Sequence, residues 1–68
     1  MNEQRRQIIE SLLSYYIGML NKHKMNVELY LKNPSGVGEH SDIMETITDE
    51  LKLMSEYEDL ICLLKEYF

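Results

Sequence analysis

The sequence predicts an all-α fold, an antiparallel two-helix hairpin with coiled-coil-like packing. Three features carry that reading. Apolar residues recur at helical spacing in both halves, strand-like alternation is absent from both, and the single Pro falls between them at position 34. The chain has 68 residues, enough for one small domain. Residues 1–68 are therefore expected to form a single helical hairpin, with helices at about 3–32 and 42–67 and a turn at about 33–41.

In the first half Ile9, Leu13, Tyr16, Leu20, His23, Val27 and Tyr30 are spaced 4, 3, 4, 3, 4, 3. That spacing draws one stripe along a helix, as in coiled coils. Gly18 is the only Gly or Pro before position 34, and so the one strong weakener of this helix. Glu28 precedes Lys32 in the favourable order for an ion pair one turn apart.

The stretch "NPSGVGEHSDI", Asn33 to Ile43, interrupts the helical pattern. Pro34 cannot continue a helix and pushes Asn33 out of helical geometry. Gly36 and Gly38 give the backbone the freedom a reversal needs. Ser41 or Asp42 then caps the second helix, and Asp42 with Glu45 three residues on outlines a capping box.

In the second half Ile43, Ile47, Leu51, Met54, Tyr57, Ile61, Leu64 and Phe68 recur about every 3.6 residues, the period of a helix. With the turn centred near residue 37, positions adding to about 74 face one another. Leu13 is expected to meet Ile61, Tyr16 to meet Tyr57, Leu20 to meet Met54, His23 to meet Leu51 and Val27 to meet Ile47. Each arm should run about 40–45 Å at 1.5 Å per residue.

Few residues are arranged for chemistry. Gly36 and Gly38 precede a helix, but no strand leads into them, no third Gly follows, and no Gly-Lys-Ser/Thr occurs. Glu39 and Asp42 would also repel a phosphate. Glu39, His40 and Asp42 are metal-ligand types, yet they complete neither a structural zinc set nor a calcium loop. No Ser, Cys or His stands in a recognisable catalytic spacing. Cys62, between Ile61 and Leu63, is expected to be a packed or half-buried thiol, and His23 a core-edge histidine bonded to a side chain of the second helix. A non-enzymatic chain without metal or cofactor is the expectation. One lone cysteine excludes an internal disulfide. The longest apolar-rich run, Ile8 to Leu20, contains Glu10 and is too short for a membrane span.

The formal net charge is −5, unevenly placed: residues 1–32 carry five basic side chains against three acidic ones, and residues 33–68 two against nine. Phosphate binding needs clustered Lys and Arg. Only the first arm offers them, with Arg5, Arg6, Lys22, Lys24 and Lys32 as candidate nucleic-acid contacts. At the open end each arm carries a second apolar seam. Ile8, Leu12, Tyr15 and Met19 lie beside the first stripe, and Leu60, Leu63 and Tyr67 lie beside the second. One facing helix cannot cover two seams. These seven residues are the expected protein interface, either between two copies forming a four-helix-bundle homodimer or with another protein.

The segment "NPSGVGEHSDI", set between amphipathic helices in so short a chain, resembles the small helical-hairpin proteins of T4-type tailed bacteriophages encoded beside the recombination and repair helicase UvsW. The resemblance implies a phage protein in the host-cell cytoplasm, near DNA replication, recombination and repair. It implies an accessory or helicase-associated interaction protein rather than a motor. The alternatives are a direct single-stranded DNA binder acting through the basic first helix, and an inhibitor of a host protein.

Overall fold

A computed structural model of the chain describes residues 2–34 and 42–68. Helix α1 spans Glu3–Lys32 and helix α2 spans Ile43–Tyr67, and the two pack against each other as an antiparallel hairpin. The molecule measures 52 × 16 × 16 Å. The expectations for Gly36, Gly38, His40 and the Ser41 cap lie outside the described residues.

Each helix is capped at its start by a side chain and closed at its end by a backbone hydrogen bond. The extended Asn2 accepts at Oδ1 from the Arg5 N–H, 2.7 Å. Nothing in the hydrophobic pattern marks this cap, although Asn directly before a helical stretch is a common start signal. Asn33 N–H donates to the Leu29 carbonyl at 2.9 Å and closes α1. Asp42 opens α2, its Oδ1 accepting from Met44 N–H at 2.9 Å and from Glu45 N–H at 3.4 Å. Asp42 is thus the N-cap of α2, one of the two expected candidates. Glu3 and Glu45 sit in first turns, Lys32 and Lys65 in last turns, each charge facing the favourable end of its helix dipole.

The stripe of α1 packs as expected, with Ile9, Leu13, Tyr16, Leu20, Val27 and Tyr30 half-buried and His23 buried. The register also holds at Tyr16 and Tyr57, whose rings lie 6.2 Å apart. Within α2 the seam differs from the expectation at Leu51, and at the chain end it stops short of Phe68. Leu51 is 48% exposed, and Glu50 takes its place against His23. The observed seam is Ile43, Ile47, Glu50, Met54, Tyr57, Ile61 and Leu64, which restores the 4, 3 alternation found in α1. Leu51 lies about 100° further round the helix and turns outward.

Three other expectations are corrected. Phe68 lies beyond the last turn of α2 and is largely exposed rather than in the seam. Cys62 is exposed, not packed, because it follows the seam residue Ile61 by one step and points away from α1. The Glu28–Lys32 pair does not close. Among the described residues the pairs of charged side chains are Arg6 with Glu3 and with Glu10, and His23 and Glu50 meet through a hydrogen bond.

A β-carbon added at Gly18, in the interior of α1, would meet nothing within 4 Å. Gly18→Ala is therefore expected to stabilise the fold by about 0.5–1 kcal/mol, through backbone entropy alone. Urea unfolding at fixed chain concentration checks it, and a loss of stability would mean that this surface is covered in solution.

Candidate functional site

His23 is the one buried residue among those described, at 6% exposure, and no hydrophobic side chain is buried. Its Nδ1 lies 2.6 Å from Glu50 Oε2 on the facing helix. Asn26, one turn further along α1, donates from Nδ2 to the same oxygen at 3.3 Å. Tyr57 stacks along the His23 ring, with centroids 6.1 Å apart and planes at 14°. The middle of the seam is thus a polar knot of three side chains, closed on one side by a phenol. Among the described residues no buried side-chain nitrogen or oxygen lacks a partner, so the knot leaves no buried polar atom unpaired. The expected histidine bond to α2 is present, but to Glu50 and not beside Leu51.

Tyr57 also joins the knot to an aromatic cluster nearer the open end. Tyr15 meets it edge-on at 6.3 Å, and Tyr15 and Tyr16 lie 5.8 Å apart. The Tyr15 side chain, by hydrogen bonding to the protonated phenol, holds Tyr57 above its ordinary 10.0, with burial and the nearby Glu56 adding to the effect.

Helical geometry gathers the expected interface residues onto one side. Leu12, Met19 and Asn26 repeat every seven residues, each one place before the seam residues Leu13, Leu20 and Val27. Thr46, Leu53 and Leu60 stand in the same relation to Ile47, Met54 and Ile61. In an antiparallel pair these two shoulders fall on the same side of the hairpin. Burial agrees: Leu12, Met19, Asn26, Thr46 and Leu60 are half-covered, whereas Glu10, Ile17, Lys24, Met44, Leu51 and Glu58, on the opposite shoulders, are exposed. Outside the covered shoulder lie Ile8, Tyr15 and Leu63, with Tyr67 at the end, all at least half exposed. The seven expected residues therefore form one face. Leu53, missed in the sequence because it sits two turns from Leu60, belongs to it as well. At the open end the face deepens into a groove of about 470 Å³, lined in part by Arg5, Ile8, Ile9, Leu12, Leu64 and Phe68.

The basic residues do not gather in the same way. Arg5 donates from its guanidinium to the Phe68 backbone oxygen at 2.8 Å, and Arg6 bonds Glu3. Lys22, Lys24 and Lys32 are exposed, but Lys22 and Lys24 lie about 200° apart around α1, on opposite sides. Among the described residues no group of three or more His, Cys, Asp or Glu is placed to hold a metal ion, and no helix is long and apolar enough to cross a membrane. The chain matches no family model, no curated protein and no solved structure.

Two outcomes follow from the knot and its neighbour. Glu50→Ala strands the His23 ring and Asn26, and should cost about 1–3 kcal/mol in chemical unfolding. His23→Leu combined with Glu50→Leu should recover most of that loss, because an apolar pair of similar volume often equals a buried polar one. An unchanged stability in Glu50→Ala would remove the knot as a structural element. For Tyr57 the raised value means that the fold favours the protonated phenol. That preference is complete below pH 10.0 and is lost as pH rises through the folded value. Tyrosinate absorbance should therefore show a late-ionising phase from Tyr57, and Tyr15→Phe, which removes the largest cause, should move that phase to lower pH.

Proposed function

We propose that this chain is a small non-enzymatic accessory protein that acts by binding other proteins, in the setting of tailed-phage DNA replication, recombination and repair. The observation that carries the first part is the apolar face at the open end. Ile8, Tyr15, Leu63 and Tyr67 hold large apolar side chains in water beside the half-covered Leu12, Met19 and Leu60, an arrangement typical of an interaction site. The polar groups at the centre of the hairpin support the same reading. His23 is occupied by Glu50 and stacked by Tyr57, so it serves the fold and is not presented to a substrate. The setting rests on the likeness of the turn segment to the helical-hairpin proteins encoded beside the UvsW helicase. A partner recombination factor or helicase follows from that setting. The scattered positions of Lys22 and Lys24 and the bonded guanidinium of Arg5 favour a protein partner over a strand of DNA.

Immobilised chain should retain a recombination or repair protein from phage-infected cells. The Leu63→Glu variant, altered at an exposed site, should retain about tenfold less. Capture of a host protein alone would instead favour an inhibitor. Oligonucleotide affinity that collapses with salt, with no protein captured, would favour direct strand binding.

A further inference from the structure

The surface of this hairpin is too large for its mass. The chain exposes 5438 Å², whereas a monomeric globular protein of its 8.1 kDa exposes about 4,500 Å². The excess of about 900 Å² is close to what each partner contributes to a stable protein–protein interface, about 800 Å². Absence of any buried hydrophobic among the described residues points the same way, since a lone pair of helices leaves its core half wet.

Charge beside the face selects the occupant. On the α1 side the exposed residues bordering it include Gln4, Ser11 and Lys22, and none is acidic. On the α2 side they are Asp49, Glu56, Asp59 and Glu66, with one base, Lys52. Another copy laying its α1 across this α2 joins unlike edges, while α2 on α2 would set carboxylates against carboxylates. A twofold axis along the bundle places each α1 beside the α2 of both copies, with both turns at the same end. Both open-end faces then coincide. The levels within one hairpin, where Tyr16 meets Tyr57 and His23 meets Glu50, carry over to the pairs between copies. Leu12 faces Leu60, Met19 faces Leu53, and Asn26 faces Thr46, apolar against apolar and polar against polar. At the rim Lys22 stands level with Asp49.

We infer that the open-end face is occupied by a second copy of this chain, in a parallel-axis four-helix bundle whose rim is closed by Lys22 of each copy against Asp49 of the other. The inference rests on the proposed role of this face as an interaction surface, which the second copy occupies until a partner protein displaces it. Analytical ultracentrifugation of the full chain should give a dimer at tens of micromolar. Leu12→Glu should raise its dissociation constant about 100-fold or more, by placing a charge in the closed face, with helicity by circular dichroism confirming a folded chain. Lys22 and Asp49 are exposed in the hairpin, so reversing them tests the arrangement without disturbing the seam. Lys22→Glu and Asp49→Lys should each weaken the dimer several-fold, and the two together should restore it. A folded chain that stays monomeric at hundreds of micromolar overturns the inference, as does a dimer indifferent to Leu12→Glu, or one in which the charge-reversed pair is no better than either single change. If the chain is monomeric yet Leu63→Glu still abolishes capture of a phage protein, only the second copy is wrong and the proposed function stands.

Discussion

Two helices packed side by side can hide one stripe of each, and no more. Every other feature of this hairpin follows from that limit. The alternating 4, 3 spacing keeps both stripes in contact along nearly the whole of α1 and α2. Yet the seam is open to water on two sides, and its apolar residues are only half covered. Area removed from water is the main source of stability at about 25 cal/mol per Å², so a half-covered seam contributes far less than its composition suggests. The apolar shoulder of Leu12, Met19, Leu53 and Leu60 is surface that the two-helix geometry cannot use.

The same limit explains why a histidine and a glutamate can occupy the middle of the seam. The Glu50 side chain is only 17% exposed, and the bonds that His23 and Asn26 make to its carboxylate offset the loss of water around it. An apolar seam alone tolerates a slip of one heptad with little penalty. A slipped pairing would leave His23 against Ile43 or Tyr57 and Glu50 without its partners. The knot thereby makes one alignment better than its neighbours, as single polar residues do at the core of coiled coils. Tyr57 extends the constraint, touching His23 on one side and Tyr15 on the other. The position of the outer face is thus tied to the polar centre through one aromatic ring.

Electrostatics adds a second level of order. A basic-leaning α1 and an acidic α2 attract within one chain, and the same imbalance is repeated along the outer edges. Few of the charges pair directly, and those that do, Arg6 with Glu3 and Glu10, lie in water within one helix. Exposed pairs of this kind contribute little to stability. The charge pattern matters more for which surfaces can approach each other.

The sequence by itself determined the all-α class, the two helices and their approximate register. Each is set by local period and by Pro34, and these act over a few residues whatever the rest of the chain does. It also marked the residues of the outer seam, because Ile8, Leu12, Tyr15 and Met19 repeat the helical period beside the first stripe. The seam position at 50 was not legible by hydrophobicity. Choosing between Leu51 and Glu50 on polarity alone favours the leucine, and the glutamate becomes acceptable only when His23 and Asn26 face it across the hairpin. A strict 4, 3 count carried over from α1 would have pointed to it. Cys62 was misjudged for a related reason, since apolar neighbours in sequence are not neighbours in space when each step turns the helix by about 100°. That the two outer seams share one face was likewise decided in the tertiary structure. A single helix defines its own shoulders, but only the antiparallel pairing brings those of α1 and α2 to the same side.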